Sequence, residues 1–215
     1  MLGSINTHRA LASRISAATK AKVLLLDYRL APEHPFPSAI EDSCSAYRWL
    51  VSKGFSNNNI FICGDSAGGG LTLSTVISLR DAQESLPKRI ALISPWTDLA
   101  ATGDSLTTLS EVDPWLEPKE LTTLASLYLA GSDAKHPLAS PLFANLSDLP
   151  QMLIQVGSDE ILLDDSTRLA KLAKVAGVDV ELEVWQGMWH VWHAFADKLS
   201  EGQKAIDKIG TFFRP

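Results

Sequence analysis

Several features are missing from this chain, and each absence narrows what it does. Its longest apolar stretches, such as Val23 to Leu26, fall far short of the ~20 residues a membrane-spanning helix needs. No charged segment with an apolar core follows Met1, so the start is not expected to act as a secretory signal. Basic residues form no run, and 25 acids outnumber 19 bases for a net charge of -6, which argues against nucleic acid or an anionic membrane as the main partner. Cysteine is scarce: Cys44 on a predicted helix and Cys63 in a predicted buried strand read as free core thiols, which points to a reducing compartment, the cytoplasm. Internal repeats and low-complexity tracts are absent too.

What remains is an ordinary globular composition, 46% hydrophobic and 20% charged over 215 residues, enough for one domain spanning 1–215 with a sizeable core. Short β-rich apolar runs alternate with helical patterns. KVLLLDY (22–28), NIFICG (59–64), RIALISP (89–95), QMLIQVG (151–157) and VELEVW (180–185) read as strands. The first four are apolar nearly throughout, as strands covered on both faces must be. Helices are expected at 7–20, 38–53, 67–82, 164–176 and about 198–213, the fourth stopped by Gly177. Such alternation is the pattern of an α/β protein with a mostly parallel sheet flanked by helices. One interval breaks it. Residues 97–150 contain no convincing strand but carry a helical pattern from Lys119 to Leu129, and are expected to be a helical cap inserted over the sheet edge where ligands enter.

The strand NIFIC runs directly into GDSAGGG and then a helix, so Gly64-Asp65-Ser66-Ala67-Gly68 is G-x-S-x-G in the strand, turn and helix context that gives the motif meaning. At Gly64 and Gly68 a side chain is expected to collide with the tight turn that exposes the Ser66 hydroxyl. The amide of Ala67, at the positive end of the next helix, can face an oxyanion formed when Ser66 attacks a carbonyl. The alternative, a glycine-rich turn for phosphate, lacks the lysine that such a loop carries.

A serine hydroxyl needs a base, and the base an orienting carboxylate, in the chain order Ser, Asp, His. Of five histidines, His8 and His34 precede Ser66 and His136 lies in the insertion. His190 follows the last strand and the Gly187 turn, which places it above the sheet edge as the base; His193 reads as a packed or solvated residue of the next helix. Asp159 stands just past the strand ending at Val156 and is the expected acid, with Glu160 facing elsewhere and Asp164 and Asp165 complementing a helix dipole. Two other readings compete. A scaffold that kept these residues without catalysis predicts binding without turnover. A metal site on His190 and His193 lacks a carboxylate at ligand spacing, and neither metal nor cofactor is expected.

The long motifs YRLAPEHPFPSAIED (28–42), GDSAGGG (64–70), SPWTDL (94–99), GSDEILLDD (157–165) and GMWHVWHAF (187–195) resemble the bacterial hormone-sensitive-lipase-like esterases of the α/β-hydrolase superfamily, over the whole chain. The resemblance implies an α/β-hydrolase fold, hydrolysis of short to medium acyl chain esters through Ser66, Asp159 and His190, a small-molecule ester as partner, and a homodimer through the last strand and helix as the assembly to test. It also makes the 28–42 segment a support, with Arg29 and Glu33 expected as an ion pair. Members of the family carry His-Gly-Gly, a source of oxyanion donors, shortly before Gly-Ser-x-x-x-His. This chain has Gly3, Ser4 and His8 but nothing before Met1. The expectation is that it starts just past the oxyanion loop, lacks the strand that lies between 22–28 and 59–64, and on its own folds poorly or is nearly inactive.

Overall fold

The computed structural model describes residues 3–214. Its sheet has four parallel strands in sequential order, β1 (Phe61–Asp65), β2 (Arg89–Ile93), β3 (Gln151–Gly157) and β4 (Val180–Trp185). Around it lie α1 (Ile5–Thr19), α2 (Ser38–Ser52), α3 (Ala67–Asp81), α4 (Ser105–Thr108), α5 (Pro118–Leu129), α6 (Leu163–Val175) and α7 (Ser200–Phe213). Because strand side chains alternate between faces, the apolar runs feed two cores. Ile90, Leu92, Met152 and Ile154 pack with Leu73, Val76 and Ile77 of α3 and Leu169, Ala170 and Ala173 of α6. Ala91, Ile93 and Leu153 point the other way, to Ile15 of α1 and to Ile209 and Phe213 of α7. The fold is the expected one, a parallel sheet covered on both faces.

One predicted strand does not form. Residues 22–28 carry no strand assignment, and Val23 and Leu24 are exposed. A β conformation is held by ladder hydrogen bonds to a neighbour, and no described strand lies beside this segment, so its apolar sequence alone does not make it one. β1 is accordingly an edge of the sheet. A second correction concerns Arg29: it pairs with Asp42 at 2.8 Å and Glu41 at 3.0 Å, not with Glu33, because α2 presents both acids from its first turns toward the loop. Cys44 and Cys63 are both free.

Between β2 and β3 the chain forms α4 and α5 and a short 3-10 turn at Pro141–Phe143, and no strand. Leu106, Leu121, Ala125 and Leu129 from this segment pack on Ile161 and Leu162 at the start of α6. Its entry is tied down by the acids there. Asp165 accepts hydrogen bonds from the amides of Thr97 at 2.7 Å and Asp98 at 2.8 Å, and Arg168 pairs with Asp98 at 2.9 Å. Burial pushes the Asp165 carboxyl up to about 7. Asp164 and Asp165 do occupy the first turn of α6, but their carboxylates hold this entry segment as well as facing the helix end. Among the described residues, no helix is long and apolar enough to cross a membrane.

Candidate active site

Ser66 sits between β1 and α3 at φ 53°, ψ -120°, a backbone conformation that a side-chain-bearing residue adopts only when its surroundings impose it. Those surroundings are visible. The Ser66 amide donates to Ile93 O at 2.9 Å, and the Ser66 carbonyl accepts from the amides of Gly69 at 3.0 Å and Trp96 at 2.9 Å. A Cβ at Gly64 would lie 2.1 Å from Gly68 O, and one at Gly70 2.2 Å from Trp96 O. At Gly68, by contrast, a Cβ meets nothing within 4 Å, so the collision expected there falls on Gly64, Gly69 and Gly70 instead.

His190 reaches Ser66 as expected: its Nε2 is 2.9 Å from Ser66 Oγ. Its other ring nitrogen, Nδ1, meets Glu160 Oε2 at 2.9 Å, not Asp159. The Asp159 carboxylate accepts from Ser158 Oγ at 2.6 Å, and its amide donates to Met188 O at 3.0 Å. The expected contact of His190 with Asp159 is therefore corrected: the structure places Glu160 there. The turn after β3 points neighbouring side chains in different directions, and the extra methylene of Glu lets its carboxylate fold back to the amide of Gly157 at 2.7 Å. The same oxygen accepts from Ser94 Oγ at 2.7 Å. Glu160 is fully buried and His190 is 4% exposed.

These partners fix the tautomer. With three donors at the Glu160 oxygens, the imidazole carries its proton on Nδ1 and presents the Nε2 lone pair to the Ser66 hydroxyl. Ser94 closes the arrangement, since its oxygen also accepts the amide of Val191, next to His190, at 3.1 Å. Its own φ is 44°. His193 is no part of this chain of contacts. It lies fully buried with Nε2 at 2.9 Å from Gln155 Oε1, and burial pushes its pKa down to about 3.

Sequence reasoning missed Glu160, Ser94 and Trp115. Glu160 did leave a signal: it is followed by Ile-Leu-Leu, and an acid heading an apolar run is buried at high cost unless donors meet it. Trp115, from the 97–150 segment, sets its ring edge-on to His190 with centroids 6.3 Å apart, and to Phe195 at 5.7 Å. Nothing in its local sequence signals that contact. On the far side of Ser66, Asp65 meets His8 Nε2 at 3.2 Å, which raises the His8 pKa chiefly through that hydrogen bond. Ser4 caps α1 through a reciprocal pair with Thr7 and so aims His8 at β1. Among the described residues, no three His, Cys, Asp or Glu side chains gather as a metal site.

Comparison with known proteins identifies the fold family. A family model described as the α/β hydrolase fold matches residues 1–194. An acetyl-hydrolase of Streptomyces hygroscopicus is 46% identical over 213 residues, which cover 99% of this chain and 71% of that protein. Among solved structures, the esterase EstE5 soaked with p-nitrophenyl butyrate superposes with a TM-score of 0.98 at 53% identity, covering 100% of this chain and 72% of its own. An esterase from the bacterial hormone-sensitive lipase family superposes with a TM-score of 0.98 at 49% identity, covering 99% and 72%. The chain thus belongs to the α/β-hydrolase fold family, in its bacterial hormone-sensitive-lipase-like branch.

Proposed function

We propose that the protein is a carboxylic ester hydrolase in which Ser66, His190 and Glu160 form the catalytic triad. The observation that carries this reading is the unbroken relay from Ser66 Oγ through His190 to Glu160, at 2.9 Å on each side of the imidazole. Ser66 Oγ attacks the ester carbonyl carbon while His190 Nε2 takes the hydroxyl proton, and Glu160 stabilises the imidazolium that results. The amide of Ala67 supplies a donor to the oxyanion. Collapse breaks the bond to the alcohol, which leaves with the proton from His190, and the acyl group stays on Ser66. Water then attacks the acyl-enzyme with His190 again as base, and the acid departs as the proton returns to Ser66.

Relatives named as esterase and acetyl-hydrolase support a small-molecule ester as substrate, and the branch resemblance supports short to medium acyl chains. Two free thiols support a reducing, cytoplasmic setting, and the free edge of β4 beside α7 supports pairing of two copies there. Labelling of Ser66 by a fluorophosphonate probe, lost in Ser66→Ala, is the expected result, and any hydrolysis of p-nitrophenyl butyrate is lost in the same variant. Binding of p-nitrophenyl butyrate without labelling of Ser66 contradicts the reading and favours a scaffold.

A further inference from the structure

The catalytic acid is held from two sides. Its carboxylate is gripped by Gly157 at the end of β3 and Ser94 just past β2, whereas the backbone amide and carbonyl of the residue after it are met by side chains of the 97–150 segment. Asp113 Oδ2 accepts the amide of Ile161 at 2.9 Å, and the Ile161 carbonyl accepts from Ser105 Oγ at 2.7 Å. The Ile161 side chain is fully buried among Leu106, Leu121 and Leu129. At the same time Asp113 Oδ1 accepts the amides of Trp115 and Leu116, each at 2.9 Å, and so fixes the turn that sets the Trp115 ring against His190.

We propose that Asp113 is a positioning residue that ties the 97–150 segment to the Glu160 loop with one carboxylate oxygen and to the Trp115 turn with the other, so that this segment sets the orientation of both Glu160 and His190. The inference rests on the triad reading above. It explains why an otherwise half-exposed loop spends a carboxylate on three backbone amides rather than on a cation: amides fix position and direction, whereas a surface ion pair fixes neither.

The discriminating variant is Asp113→Asn. With its one oxygen kept toward Trp115 and Leu116, the amide nitrogen faces the Ile161 amide, donor against donor, and only the link to the acid loop is lost. We expect kcat for p-nitrophenyl butyrate to fall about 10-fold to 100-fold with little change in KM, as for a small displacement of a catalytic group. We also expect the downfield NMR resonance of the proton between His190 Nδ1 and Glu160 to move, because the Glu160 carboxylate no longer lies in line with the ring.

An Asp113→Asn protein with unchanged kcat and an unchanged His190 Nδ1 proton resonance overturns the proposal. The proton resonance decides the matter even in a protein without turnover, whereas absence of fluorophosphonate labelling at Ser66 in the wild type refutes the triad reading. Should the variant fail to fold, amide hydrogen exchange in the wild type decides: a protected Ile161 amide supports the tether, and rapid exchange at Ile161 contradicts it.

Discussion

Glu160 Oε2 lies 2.9 Å from His190 Nδ1, while the carboxylate of its neighbour Asp159 turns to Ser158. Two adjacent acids thus have opposite surroundings: one is fully buried and meets three donors, the other lies at the rim of the loop. Burial makes the difference functional. A carboxylate shielded from water interacts more strongly with the imidazolium than one that solvent screens.

Ser94 connects the acid to the base loop, which makes its hydroxyl a target. Ser94→Ala removes the donor to Glu160 and strands the buried amide of Val191, at a cost of ~1–3 kcal/mol in stability. A drop of roughly tenfold in kcat/KM should accompany it. Ser94→Gly suits the positive φ better yet lacks the same hydroxyl. If activity tracks the hydroxyl, both variants lose it alike in parallel kinetic and urea-unfolding measurements; full activity in Ser94→Gly points to backbone strain instead.

The serine turn predicts a sharp contrast between glycines. In Gly64→Ala the new methyl would sit 2.1 Å from the carbonyl oxygen of Gly68, which is backbone and cannot yield. Destabilisation of ~3 kcal/mol or more follows, at the upper end for overpacking. Gly68→Ala meets no neighbour within 4 Å and lies in α3, where alanine is favoured by up to ~1 kcal/mol. Urea midpoints should move down for the first and hold or rise for the second.

His8 contributes a pH-dependent tie between α1 and the serine turn. Its pKa is raised from 6.5 by Asp65, so protonation is tighter in the folded protein than in the unfolded chain. The stabilisation is therefore fully present below 6.5 and disappears as pH rises past the raised value. Thermal midpoints of wild type and His8→Ala should differ more near pH 5.5 than near pH 8.5. An equal difference at both, or a larger one in alkali, contradicts this account.

Much of this was legible in the sequence, for particular reasons. β2 and β3 are buried on both faces, and their nearly continuous apolar runs said so. Ser66 was marked by the glycines its turn demands, and His190 by its place after the last strand. Residues 22–28 show the same apolar signature without becoming a strand, because strand formation depends on a neighbour that the run itself does not encode. The choice between Asp159 and Glu160 depended on side-chain direction within a turn and on the reach of one methylene, neither of which has a period to read. Trp115 and Asp113 were hidden for a third reason: their partners lie far along the chain, and only packing of the 97–150 segment on α6 brings them together.

The central claim, that Glu160 rather than its neighbour serves His190, is tested most directly by comparing the rate at which a fluorophosphonate labels Ser66 in Glu160→Gln and Asp159→Asn. The account predicts that Glu160→Gln slows labelling by roughly 10³-fold to 10⁴-fold, the scale set by removing the carboxylate from a serine triad. Asp159→Asn should stay within about threefold of wild type, as for a group that does not touch the relay. Wild-type labelling in Glu160→Gln together with a collapse in Asp159→Asn contradicts it.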